Sequence, residues 1–352
     1  MAASEKVKTP PPPYVEEACR PVPAAPVSVA RFGEGGTRGW MVVLGAFLNF
    51  CGGFGFLNAF GTYQNYYDDK GYLTTVESGW IASTQFGLLL ASGIIVGPIF
   101  DRWGARVLMV PGSIMTLAAF LISAFRYDFA SLLFSLGILL GIGNAMMFHP
   151  AIGAITGWFD HHRALALGVA IAGASVGGIY WPIITDALLS FFERKTYSDD
   201  EGGEGYIDSE YALKYSFVIT LLICLPLLGI SCFLIKENAV MRHVRDAEVL
   251  DRKPPRIMSR KCGYVITHCL TQLQVALAVA LFFVWIGAIV PYGFIPLWSR
   301  DKVKGSWPNY LLTICYSASF VGRLLLTWLS DKFGRLNIFI IMTFMTGALI
   351  MA

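Results

Sequence analysis

The chain has 352 residues, 55% of them hydrophobic and only 14% charged, with a net charge of +3. A soluble domain carries roughly 25% charged residues, and the mean hydropathy here is +0.57, so a water-soluble globule is excluded. The near-neutral charge and the lack of a compact basic, aromatic-laced segment argue against nucleic acid as a partner. Seven cysteines without a CxxC pair argue against a disulfide framework or a metal site, and no cofactor is expected.

Residues 1–38 are polar and Pro-rich, lack apolar periodicity and read as a disordered tail. No cleavable signal peptide is visible in it. Within it, Pro11-Pro12-Pro13-Tyr14 has the PPxY form that WW domains read as a preformed polyproline II helix. With Lys6 and Lys8 close by, the partner this motif implies is a WW-domain ubiquitin ligase; the alternative is a flexible Pro tail.

A membrane helix needs about 20 apolar residues. Runs of that kind lie near 40–64, 79–99, 107–125, 130–154, 164–190, 211–235, 272–298, 309–329 and 336–352, nine in all. Backbone polar groups find no partner in lipid, so each run is expected to be helical and the protein an all-α polytopic bundle. With the N-terminus in the cytosol, the inner segments hold 18 Lys and Arg and the outer segments 8. That bias supports a cytosolic N-terminus. Trp40, Trp80, Trp158, Trp298 and Trp307 fall near run ends, as interfacial anchors do. The polar segment 236–268, with Pro254-Pro255, separates six runs from three. The expected domains are therefore a 39–235 bundle, a 236–268 cytosolic loop and a 269–352 second set; the segment 191–214 is expected to be an outer loop.

The one basic residue outside these segments is Arg323, in the middle of the eighth run. A central arginine costs about 2.5–3.5 kcal/mol on insertion scales, so it is expected to face a cavity or a partner. Two readings stand: an anion-binding group in a transport path, or a buried Arg bonded to carbonyls of a neighbouring helix.

Between the second and third runs lies Gly97-x-x-x-Asp101-Arg102-x-Gly104-x-Arg106, and between the eighth and ninth lies Asp331-Lys332-x-Gly334-Arg335. This pair resembles the signature loop of the major facilitator superfamily and its second-half repeat. The two Asp residues are 230 apart, which fits one six-span half plus a central loop. Gly97 is expected to allow close helix approach and Gly104 a tight turn. The Asp101 carboxylate is expected at the positive N-terminal end of a helix from the other half, with Arg102 and Arg106 at the cytosolic surface. Together the turns would gate the cytosolic side.

Trp158-Phe159-Asp160-His161-His162-Arg163, followed by the small-residue run to Gly178, resembles the entry to span five of monocarboxylate porters. Glu34 to Trp40 is similar to that family's span-one opening, with Arg38 at a position usually uncharged, and Ile289-Val290-Pro291-Tyr292 and Ser319 to Arg323 are similar to fungal-type members. The likeness implies a secondary transporter with Arg323 taking a carboxylate. Two departures stand against a proton-and-lactate mechanism. Ser319 occupies a position where proton-coupled animal members carry Asp, and no Lys lies between Met41 and Gln64.

Asn49, Asn58, Asn144, His149 and Tyr180 are further intramembrane polar residues that fit a substrate path. His149 is a candidate replacement for the Asp missing at Ser319, but it precedes Pro150 and is read first as satisfying a freed carbonyl. Asp186 reads as a solvated interface residue. The pairs Gly93/Gly97, Gly137/Gly141 and Gly173/Gly177 read as helix-packing seams rather than phosphate loops. The superfamily has twelve spans in two bundles of six, so the sequence is expected to be a fragment, a truncated product or a misread frame.

No nucleophile-and-base set or paired carboxylate suggests an enzyme. The leading expectation is an alternating-access transporter of a small organic anion in the plasma membrane, with or without proton coupling. The alternatives are an efflux carrier of a lipophilic or secondary metabolite, a non-transporting membrane sensor, and an inactive remnant.

Overall fold

A computed structural model describes residues 35–199, 209–238 and 307–351. Outside them lie the tail with Pro11, Pro12 and Tyr14, most of the segment 236–268, and the seventh apolar run with Pro291 and Tyr292. All regular structure among the described residues is helical. Span one is α1 (Gly36–Asn49), a π-helical turn (Phe50–Phe54) and α2 (Gly55–Asp69) in series. Span two is α3 (Thr75–Ala91) and α4 (Gly93–Trp103), bent by 41° at Ser92. Span three is α5 (Ala105–Ser123). Span four joins α6 (Phe129–Leu132), a second π-helical stretch (Leu133–Leu139) and α7 (Leu140–Thr156). Then come α8 (Arg163–Asp199), α9 (Ser209–Leu234), α10 (Trp307–Phe333) and α11 (Arg335–Met351).

Five of the described helices are long and apolar enough to cross a bilayer, or six with the bent pair counted as one span. Their boundaries follow local chemistry. α3 opens on a capping box in which the Thr74 N–H donates to Glu77 Oε2 at 2.8 Å and the Glu77 N–H to Thr74 Oγ1 at 3.3 Å. α6 opens on Asp128, whose carboxylate accepts the Ser131 N–H at 3.1 Å; that bond holds the Asp128 carboxyl below the ordinary carboxylate range. Gly104 (φ +85°) and Gly334 (φ +95°) make the two charged turns, in a backbone region that side-chain-bearing residues avoid.

One boundary departs from expectation. The segment after residue 190 does not begin as a loop: α8 continues to Asp199. Charge marks where lipid ends, not where a helix ends, and neither Gly nor Pro intervenes before Gly202. The extension is tied down where Lys70 pairs with Glu193 at 2.8 Å and the Tyr66 hydroxyl donates to the same carboxylate at 2.8 Å.

Two large apolar cores hold the bundle, with a smaller cluster of Leu57, Leu89 and Ala145 against Phe54, Phe86 and Phe148. One gathers Phe56, Tyr63, Phe120, Trp181 and Phe217. The other gathers Val43, Phe50, Met109, Ile155 and Phe159 towards the end carrying the charged turns. Large apolar side chains also point outwards, among them Ile94, Phe233 and Phe344, which suits a lipid-facing surface. Of the three glycine pairs, two are packing seams. A methyl on Gly177 would lie 2.5 Å from the Cys51 carbonyl oxygen, and one on Gly173 would collide with that of Phe47, so α8 lies directly on span one. Gly141 similarly meets the backbone of Gln85 at 3.0 Å. The Gly93/Gly97 pair is different: Gly93 faces the His149 ring, and no described residue comes within 4 Å of a methyl placed on Gly97.

Candidate functional site

α10 lies antiparallel along α8, and four contacts fix its register. Tyr316 faces Gly178, the Arg323 guanidinium reaches Ile171, Thr327 faces Gly168, and Asp331 reaches Ala164 and Leu165. The last contact is electrostatically the strongest of these. The first amides of a helix have no intrahelical acceptor and carry its positive end. The Asp331 carboxylate takes two of them, from Ala164 at 3.1 Å and Leu165 at 2.8 Å. Arg335, one turn on, pairs with Asp331 at 3.4 Å and donates to the Asp160 carbonyl at 3.0 Å. Lys332 stays exposed, its ammonium 5.6 Å from the Trp328 ring.

The first turn is built differently. Asp101, Arg102 and Arg106 are exposed. The Asp101 carboxylate makes no hydrogen bond or ion pair among the described residues, so it is not found at a helix N-terminus. Glu237, just beyond span six, takes that role for α5: its carboxylate accepts the Ala105 N–H. A methyl on Gly104 would sit 2.7 Å from Glu237 Oε1, so the left-handed glycine is also the clearance for the cap. The neighbouring residues tie in the loop between spans four and five. Trp158 Nε1 donates to the Lys236 carbonyl at 2.8 Å, and Asn238 Nδ2 to the Gly157 carbonyl at 3.2 Å. Through these contacts the two charged turns stand at one end of the bundle.

The interior polar residues expected to line a path separate into two groups. Most are committed to backbone carbonyls. Arg323 Nη1 donates to Ile171 O at 2.7 Å, the helix-carbonyl arrangement that was one of its two readings. Asn58 Nδ2 donates to Ala174 O at 3.2 Å, and the Tyr180 hydroxyl to Cys51 O at 3.1 Å, where Trp181 Nε1 also donates at 3.0 Å. Cys51 lies in the π-helical turn, whose wide geometry frees carbonyls; Tyr180 is part of what satisfies them. His149 Nε2 lies 3.2 Å from Leu89 O. That carbonyl is one left over at the bend of span two, rather than one freed by Pro150 in its own helix.

Asn144 forms the other group. It is 3% exposed, and its NH2 is unpartnered among the described residues. An unsatisfied buried donor costs about 1–3 kcal/mol. It lines a narrow crevice with Asn49, Phe50, Phe54 and Phe148. Asn49 Nδ2 is taken by Met147 O at 3.2 Å. The sequence drew attention to Asn144 as a polar residue in an apolar run, but it gave no sign of the aromatic wall. Asp186 is exposed, as expected. Among the described residues no group of His, Cys, Asp and Glu is placed to hold a metal.

Residues 42–352 match the Major Facilitator Superfamily. The chain is 34% identical over 307 residues to the MFS-type transporter pytF of Aspergillus terreus, covering 86% of this chain and 92% of that one. It is 30% identical to the aspyridones efflux protein apdF of Emericella nidulans, over 90% of this chain and 58% of that protein. It is also 30% identical to the fujikurins efflux protein of Gibberella fujikuroi, over 89% of this chain and 61% of that protein. Among solved structures, the D-xylose-proton symporter is similar at 14% identity and a TM-score of 0.48, over 84% of this chain and 69% of the symporter.

Proposed function

The chain belongs to the Major Facilitator Superfamily, and on that premise we propose that it is an alternating-access carrier that exports a lipophilic secondary metabolite. The observation that carries the alternating-access part is the Asp331 carboxylate on the N-terminal amides of α8. It joins the α10–α11 turn to α8 by charge-assisted hydrogen bonds, which in this reading close one end and can break without unfolding a helix. In this reading the N-terminus is cytosolic, the closed end is the cytosolic gate, and Asp101 and Asp331 belong to the two gate halves. Residues 39–235 form one half, 236–268 the tether, and 269–352 part of the second half.

Export of a lipophilic compound is supported by the efflux proteins among the relatives and by the chemistry of the interior. The crevice at span one is lined by aromatic rings and carboxamides without a charged side chain. A second reading, uptake of a small organic anion in the manner of monocarboxylate porters, is favoured by one observation: Arg323 stands half-buried in the middle of α10. The PPxY tail adds a proposed control, removal from the plasma membrane by a WW-domain ubiquitin ligase.

Proteoliposomes containing the full chain test the proposal, assayed for efflux of a neutral polycyclic fluorophore and for uptake of benzoate, with and without a pH gradient. Fluorophore flux that persists in Arg323→Ala is the expected result. Benzoate flux abolished by Arg323→Ala, with no fluorophore flux, establishes the anion reading instead.

A further inference from the structure

The crevice at the π-helical turn is too narrow in this conformation to hold a water molecule, yet it brings an unpartnered carboxamide against aromatic rings. Span one widens over Phe50–Phe54, a conformation that proteins use sparingly and often at functional positions. Here side chains behind it satisfy the carbonyls it frees. The Cys51 carbonyl takes Tyr180 and Trp181, and the Gly52 carbonyl takes the Cys224 thiol at 3.7 Å. On the crevice side the turn presents Phe50 and Phe54 to Phe148 of α7. The Phe148 ring is stacked on that of Phe54 at 5.5 Å and tilted against that of Phe50 at 5.2 Å. Phe86 of α3 meets Phe54 edge-on at 6.4 Å. Asn144, 3% exposed and with an unpartnered NH2, lines the same crevice as Phe50, Phe54 and Phe148.

We propose that this crevice is a substrate subsite that takes a neutral, planar conjugated ring by an acceptor oxygen on it. The Asn144 NH2 donates to the ring's carbonyl or enol oxygen, and Phe50, Phe54 and Phe148 hold its faces and edges. Each element of this assignment follows from a residue. Aromatic walls favour offset or edge-on packing of a flat ring. An amide donor without a partner calls for an acceptor. The lining has no charged side chain to match a carboxylate or an ammonium. Entry requires the Phe54–Phe148 stack to part, and Phe54, Phe86 and Phe148 are only partly buried. Asn49 is not the donor, since its NH2 is spent on Met147. Tyr180 acts at one remove, as a positioning residue that holds the turn's wider geometry through the Cys51 carbonyl.

The subsite deepens the proposal of lipophilic export and rests on it, but a binding measurement tests it separately. The full chain in lipid nanodiscs is dialysed against coumarin, a flat bicycle with a lactone carbonyl, and against 2H-chromene, the same bicycle without it. A site built to hydrogen-bond an oxygen discriminates strongly against the analogue lacking it. The expected result is saturable coumarin binding at least tenfold tighter than that of 2H-chromene. Asn144→Leu removes the difference, and Phe54→Ala weakens both. Equal affinities in the unmodified chain, no saturable coumarin binding, or a preference that survives Asn144→Leu overturns the subsite. The unmodified chain supplies the first comparison, so it stands even if a variant misfolds. Fluorophore efflux unchanged in Asn144→Leu, alongside lost coumarin preference in the unmodified chain, sinks the subsite and leaves export standing. Coumarin preference without any efflux does the reverse.

Discussion

At the α10–α11 turn, the carboxylate of Asp331 is mostly buried and accepts two amides of a helix 166 residues away in sequence. At the α4–α5 turn, built from the same Asp-basic-x-Gly pattern, Asp101 points into the open and a glutamate from beyond span six caps the following helix. Both turns use a left-handed glycine, so their backbones solve the same steric problem. Their electrostatics differ because an Asp at such a turn is only as useful as the helix end it meets. α8 supplies that end to Asp331. No described helix supplies it to Asp101. Of the two turns, only the one that meets a described helix N-terminus has its carboxylate engaged.

Three substitutions sharpen this contrast, each read by thermal unfolding of the detergent-solubilised full chain. Asp331→Ala has the largest effect. Removing an acceptor from two buried charge-assisted bonds costs about 2–3 kcal/mol, and Asp331→Asn recovers about half of it. Equal stability for the alanine variant would mean that the contact contributes little. Glu237→Ala comes next, at about 1 kcal/mol, the ordinary value of a lost N-cap; a loss as large as that of Asp331→Ala would erase the distinction between the turns. Asp101→Asn is the smallest, within about 0.5 kcal/mol, as for other exposed positions. A greater loss would show that Asp101 has a partner in solution.

Much of the fold was legible. Apolar runs of membrane length located the described spans, and a Gly three residues after an Asp marked both turns. Where the polar residues send their hydrogen bonds was not legible, for a physical reason. Arg323, Asn58 and Tyr180 all donate to backbone carbonyls, and every residue has one, so sequence carries no trace of the partner. The π-helical turn was equally hidden. Phe-Cys-Gly-Gly-Phe has the composition of any packing seam, and only the side chains behind it, from α8 and α9, hold the wider geometry. Glu237 reads as a stray acid after an apolar run until folding brings it across 132 residues to Ala105. Asn144 was visible as a polar residue in span four; the rings around it come from spans one, two and four and meet only in three dimensions.

The latch at the α8 N-terminus is most directly tested by hydrogen exchange on the peptide covering residues 163–168. First-turn amides lack intrahelical acceptors and normally exchange fast. With Asp331 accepting them, slow exchange at Ala164 and Leu165 is expected in the intact chain, rising at least tenfold in Asp331→Ala and on addition of a transported compound. Fast exchange in the intact chain, indistinguishable from that of the alanine variant, would contradict the latch and the gating built on it.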